Sequence, residues 1–151
     1  MASKNKIHDG EKALIDMGCY VASPINLCVL LTPNEQVVLN VIRHSKNLGQ
    51  RFISNSALQV STGLSENTVR KVRDTLLQLN IIEQVGETTS VGIEYKVNHK
   101  TLCTIIKELN NTKNPIKRLM LADRFRGEKL AMHTALIKKY QDSELDGKLN
   151  K

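Results

Sequence analysis

Three features of the sequence predict a mainly α fold with one small β-hairpin and a helical C-terminal extension. The stretch SNSALQVSTGLSENTVRKVRDTLLQLNII, residues 54–82, holds two apolar-periodic segments that meet at Thr62-Gly63-Leu64. A turn this short, with Gly at its centre, does not allow antiparallel packing and joins two helices at a steep angle. Next, IIEQV and VGIEYKV are β-branched and nearly alternating, with GETTS between them, which is the pattern of a hairpin. Beyond a break at NTKNP, residues 111–115, the composition is helical to about Gln141. The chain therefore divides into an N-terminal arm and short element over 1–31, a main domain over 32–110, a basic helical extension over 111–141 and a loose polar tail over 142–151.

Taken in order, residues 1–10 read as a polar arm and Glu11–Met17 as a short helix. The apolar run Ile25–Leu31 is expected to be buried, and its periodicity fits strand or helix equally. Thr32-Pro33-Asn34-Glu35 is a strong helix start: a capping threonine, proline at the first helical position and glutamate three residues after the cap. Val38, Leu39, Val41 and Ile42 make that helix mostly buried, to about Lys46. Ser54 or Ser56 can cap the helix that carries Ala57, Leu58 and Val60. Ser65 caps the next, Glu66 to about Gln78. At about 100° per residue its Val69, Val72, Leu76 and Leu79 share one face, and Asn67, Arg70, Lys71, Asp74 and Gln78 share the other. Asn80 suits a left-handed exit. After the hairpin, Leu102, Ile105, Ile106 and Leu109 keep helical step between Lys100 and Leu109.

Composition narrows the class of protein. The chain has 151 residues, enough for one domain with a core of its own, and 40% hydrophobic residues are ordinary for a globular chain. Aromatics make up only 3%, which argues against a platform for stacking single-stranded bases. A net charge of +7 and a pI of about 9.4 favour polyanionic partners. No apolar run reaches the ~18 residues of a membrane span, and the N-terminus has no signal-peptide character, so a cytoplasmic location with no membrane partner is expected. Cys19, Cys28 and Cys103 are far apart and unpaired by motif, and are expected as buried, reduced thiols. His8, His44, His99 and His133 fall on separate elements, so no metal site is expected. No phosphate loop, nucleophile elbow or carboxylate pair is present, and neither an enzymatic role nor a cofactor is expected.

The order helix, helix, turn, helix, hairpin, helix, together with FISNSALQVSTGLSENTVRKVRDTLLQLNIIEQVG, resembles the winged helix-turn-helix families of bacterial and phage DNA-binding proteins. The similarity spans about residues 32–110. In style it is nearest the DNA-binding domains of plasmid and phage replication initiators and of small transcription regulators. The resemblance implies a second helix in the major groove of double-stranded DNA and a hairpin tip on the neighbouring backbone. It implies Ser54, Ser56, Ser65, Glu66, Asn67, Thr68, Arg70 and Lys71 at the duplex. The hairpin tip carries Glu87 and no Lys or Arg, so its contacts would rest on Thr88, Thr89 and Ser90. The residue chemistry agrees, since Arg can grip guanine, Asn can grip adenine and a helix N-terminus suits phosphate. Regulation of transcription is the function expected first; a plasmid- or phage-type replication or maintenance factor, or a protein-docking module without DNA binding, are the alternatives. Asp74, four residues after Arg70, is positioned to pair with it.

The extension holds most of the positive surplus: eight Lys and Arg between 113 and 139 against Asp123 and Glu128. As one helix it would be apolar on two sides, with Ile116, Leu119, Met120, Leu130 and Ile137 opposed to Leu121, Phe125, Met132, Leu136 and Tyr140. One globular surface cannot bury both. A homodimer with Phe125, Met132, Leu136 and Tyr140 near its axis is therefore expected, presenting paired helices to two half-sites. The alternative is a break at Gly127 and a fold-back, which would offer Arg124 and Arg126 to phosphate.

Overall fold

The computed structural model describes Lys12 and residues 24–141. The expected helix over 11–17, apart from Lys12, and the tail over 142–151 lie outside the described residues, as do His8 and Cys19. Seven helices are described: α1 (Leu27–Leu30), α2 (Pro33–Asn47), α3 (Asn55–Thr62), α4 (Glu66–Gln78), α5 (His99–Asn111), α6 (Pro115–Arg126) and α7 (Thr134–Gln141). A two-stranded antiparallel sheet, β1 (Ile82–Thr89) and β2 (Gly92–Val97), lies between α4 and α5. None of the described helices is long and apolar enough to cross a membrane.

The local signals act as their chemistry dictates. Thr32 and Glu35 form a reciprocal capping box: Glu35 N–H donates to Thr32 Oγ1 at 3.2 Å, and Thr32 N–H to Glu35 Oε1 at 3.0 Å. Ser54, and not Ser56, caps α3, accepting from Ala57 N–H at 3.0 Å. Gly63 ends α3 in the left-handed region, at φ 75°, and Ser65 caps α4 from Thr68 N–H. Asn80 makes the left-handed exit, at φ 60°. The run at 25–31 resolves as a helical turn: Leu27, Leu30 and Leu31 are buried while Ile25 is 80% exposed.

The hairpin is longer than GETTS suggested. Pairing runs from Ile82 opposite Val97 to Val85 opposite Glu94, then slips, so that Thr89 faces Gly92 and only Ser90 and Val91 turn the corner. Gly86, Glu87 and Thr88 form a bulge in β1, opposite Ile93. Ile93 is free to pair elsewhere: its N–H and C=O exchange 2.9 Å hydrogen bonds with Ile53 just before α3. This bridge brings two backbones so close that a Cβ on Gly92, whose φ is +128°, would lie 2.5 Å from the Ile53 carbonyl carbon.

One core joins these elements: Val38, Leu39 and Ile42 of α2, Leu58 of α3, Val69, Val72 and Leu76 of α4, Ile82 and Tyr95 of the sheet, and Leu102, Ile105 and Leu109 of α5. The extension belongs to it through Ala122, with Leu121 and Phe125 packed alongside.

The extension is not one long helix. Asn114 caps α6, accepting from Lys117 N–H at 3.0 Å, and the chain breaks at Gly127; a single 3-10 turn (Glu128–Leu130) precedes α7, which packs back on α6. The turn is held from both sides by the end of α6. Asp123 accepts from Met132 and His133 N–H at 2.9 and 3.0 Å. Arg126 donates to Leu130 O at 2.6 Å. Its other N–H groups reach Leu30 O at 3.1 Å and form a bidentate pair with Glu35 at 2.6 and 3.0 Å. Arg126 is thus a buried structural residue, 4% exposed at its side chain against 6% for Glu35, and is not open to phosphate as the fold-back alternative had it. The fold-back reduces the exposure that prompted the dimer expectation: Phe125, Met132 and Tyr140 are half-buried, while Leu136 stays 41% exposed.

The thiols differ from expectation too. Cys28 and Cys103 are free and exposed, because each falls on the outward side of its helix while Leu27, Leu30, Leu102 and Ile105 take the inward positions.

Two stability measurements follow. Arg126→Met leaves the Glu35 carboxylate buried without its partner and is expected to cost about 3–5 kcal/mol, while the double variant E35Q/R126M loses distinctly less; urea unfolding of the three chains reads the difference. Gly92→Ala meets both a strained φ and a backbone that cannot yield, and is expected to cost about 2–4 kcal/mol in the same assay.

Candidate nucleic-acid interface

α4 sorts its residues as its periodicity requires. Val69, Val72 and Leu76 are buried against α2 and α3, and Asn67, Arg70, Lys71, Asp74 and Gln78 are exposed. Ser65 and Glu66 are exposed at its start and Thr68 is half-buried. The Ser65 hydroxyl is engaged internally, accepting from Thr68 N–H and donating to Thr68 Oγ1 at 2.9 Å. Asn67, Arg70 and Lys71 therefore face outward, together with Glu66, Asp74 and Gln78.

Arg70 pairs with Glu66 at 2.6 Å, one turn back, and not with Asp74. Both partners are 55% exposed, so the pair is worth only about 0.3–0.5 kcal/mol. A bidentate contact to a guanine, at about 1–3 kcal/mol, exceeds it and would open it. Asp74 lies 3.4 Å from Arg73 instead. Arg73, also in α4, is turned inward: its side chain is 18% exposed and donates to Asn55 Oδ1 at 2.9 Å. It ties the start of α3 to the middle of α4, fixing the angle between the two helices.

Beside Arg73 lies Tyr95, whose ring is 1% exposed under the sheet. Burial pushes the Tyr95 hydroxyl above its ordinary pKa of 10.0, and the Arg73 guanidinium opposes that rise in part.

The hairpin end offers polar atoms and no cation. Thr89 Oγ1 donates to Gly92 O at 2.8 Å and accepts from Val91 N–H, so it shapes the turn. Thr88 accepts weakly from Gln84 at 3.4 Å. Ser90 is exposed beside Val91, which is 63% exposed, and Glu83 and Glu87 are exposed on the same strand. Ser54 is consumed as a cap, while Ser56 is exposed in the first turn of α3 with Val60, 86% exposed, one turn further. A basic residue not singled out by sequence pattern stands near the sheet: Arg51, stacked 5.0 Å over the Phe52 ring and paired to Glu94 at 3.1 Å. Its isolation in the sequence gave no signal; only the bridge through Ile53 brings it to β2.

Among the described residues no group of three or more His, Cys, Asp or Glu is arranged to hold a metal. No protein-family model matches the chain, and no curated protein matches it significantly.

The buried phenol sets a pH dependence. Above pH 10 the unfolded chain releases the Tyr95 proton while the folded chain keeps it, so stability is full below that value and falls as pH rises through the window up to the folded-state pKa. Tyr95→Phe is expected to leave stability at pH 7 nearly unchanged and to flatten the loss above pH 10, measured as urea midpoints from pH 7 to 11.

Proposed function

We propose that this chain is a winged helix-turn-helix protein that binds double-stranded DNA, with α4 in the major groove and the β1–β2 hairpin as the wing. The observation that carries the reading is the outward face of α4. Asn67, Arg70 and Lys71 stand together in solvent on a helix whose opposite face is buried, set behind a glycine turn and held at a fixed angle by Arg73 and Asn55. The bridge of Ile53 to Ile93 ties the hairpin to the start of α3, and the positive net charge supplies the non-specific attraction a duplex needs. Control of transcription is the role that asks nothing beyond this fold; replication or maintenance of a plasmid or phage would use the same contacts.

Two exposed valines favour a second reading, docking to a protein. Val60 on α3 and Val91 at the wing tip are apolar where phosphate contacts would call for cations, and Glu83 and Glu87 lie beside the latter. A palindromic DNA site would also need two copies, and the apolar surface the extension leaves for that is small, chiefly Met120 and Leu136 at 37% and 41% exposure.

Duplex binding separates the readings. Random-sequence duplex is expected to bind at about 50 mM salt, with affinity falling steeply as salt rises. Arg70→Ala is expected to cost about 1–3 kcal/mol and relax base preference, and Lys71→Ala to weaken all duplexes alike and lower the salt slope by about one. A chain that leaves duplex unbound at low salt, or whose binding ignores both substitutions, has its interface elsewhere.

A further inference from the structure

The C-terminal extension carries a cleft of about 320 Å³, lined by Thr112 and by Lys117, Met120, Leu121 and Arg124 of α6. The four α6 residues recur at i, i+3, i+4 and i+7, so they form one stripe along the helix. Met120, 37% exposed, and the half-buried Leu121 stand in the middle of the stripe. The exposed Lys117 and Arg124 stand at its ends, about 10 Å apart along the axis. The ion pairs among the described residues involve neither cation. The other charges of this layer do not neutralise them. Arg118 donates to Thr112 O at 3.0 Å, Arg126 pairs with Glu35, and Asp123 accepts the Met132 and His133 N–H groups. Lys113, Lys129, Lys138 and Lys139 are exposed against Glu128 alone.

An apolar strip closed at each end by a cation restricts what can cover it. A second copy laid symmetrically on this face would bring like charges together. A neutral apolar surface would bury Lys117 and Arg124 without partners. A sugar-phosphate backbone would meet the cations but bring no side chain to Met120 and Leu121. The geometry points to a docking surface for an acidic amphipathic helix of another protein, with a large apolar side chain seated between Lys117 and Arg124 and a carboxylate on either side of it. Carboxylates one turn before and one turn after such an anchor lie about 11 Å apart along their helix, which matches the separation of the two cations. Met120 suits the seat, since its thioether adapts to anchors of different shape. No residue of α3 or α4 lines the cleft, so the surface stands whether or not α4 binds DNA.

The full-length chain would be titrated, by fluorescence anisotropy at about 50 mM salt, with a labelled synthetic helix of about 16 residues that carries leucines on one face and glutamates on the other. Saturable binding at one peptide per chain is expected. It should be at least about tenfold tighter than for the same peptide with its leucines replaced by serine, or with its glutamates replaced by lysine. Met120→Gln and K117Q/R124Q, all at exposed positions, are expected to keep the melting temperature and each to weaken binding by about tenfold or more. Equal binding of the serine peptide, or unchanged binding by Met120→Gln, would overturn the proposal by reducing the surface to undirected charge. Duplex DNA that displaces the peptide from an R70A/K71A chain, and whose own binding there is weakened by K117Q/R124Q but not by Met120→Gln, would also overturn it and make the stripe a backbone contact. So would peptide binding raised by more than about tenfold in D142N/E144Q/D146N, which would give the cleft to the chain's own DSELD, residues 142–146.

Discussion

The Glu35–Arg126 pair is the constraint around which the chain is organised. A glutamate that would otherwise only complete a capping box is 91 residues from an arginine that would otherwise be solvated, and both are almost wholly withdrawn from water. Desolvating two charges costs several kcal/mol each, so the pair persists only because every strong donor and acceptor is met. Glu35 takes the Thr32 N–H as well as two guanidinium N–H groups, and Arg126 takes the carbonyls of Leu30 and Leu130 besides. An apolar pair of similar size could match this in stability, but not in register. Four segments, the end of α1, the start of α2, the end of α6 and the turn after Gly127, are fixed to one another at a single point. The extension is thereby an integral layer of the domain and not an appendage.

That point also explains the division between what the sequence disclosed and what it did not. The starts of α2, α3 and α4, the Gly63 turn, the Asn80 exit and the two faces of α4 all follow from residues within four positions of one another, and each stands as the pattern required. Non-local facts were invisible. Nothing in DRFR distinguishes Arg126, buried, from Arg124, exposed; the difference is a glutamate brought from α2. Nothing local likewise announces that Arg73 reaches Asn55, 18 positions away. The two apolar stripes of the extension are more than one surface can cover, and a second helix folding back after Gly127 covers part of them. The close approach at Gly92 depends on Ile53, 39 positions away, and no local pattern announces it.

The same contrast bears on α4. Its angle is set by groups engaged within the fold: the Ser54 and Ser65 caps, the left-handed Gly63, and Arg73 reaching Asn55 beside the buried Tyr95. Rigidity of that kind lowers the entropic cost of placing Arg70 and Lys71 on a partner, because the helix axis is already determined. What is left adjustable is the side-chain layer alone. There the Glu66–Arg70 pair, weak and exposed, acts as a mild competitor that a stronger acceptor displaces and a weaker one does not.

Charge is distributed unevenly across this frame. Strand β1 carries Glu83 and Glu87 and no cation, whereas most of the positive surplus lies beyond residue 112. Since Arg126 is neutralised in the interior, the attraction the extension exerts comes from residues such as Lys117, Arg124, Lys138 and Lys139, all exposed. If α4 takes a polyanion as proposed, that partner would be drawn by one part of the surface and read by another. Such an arrangement would separate the long-range, salt-sensitive step of encounter from the short-range step of discrimination, with the extension clamped to α2 through Arg126.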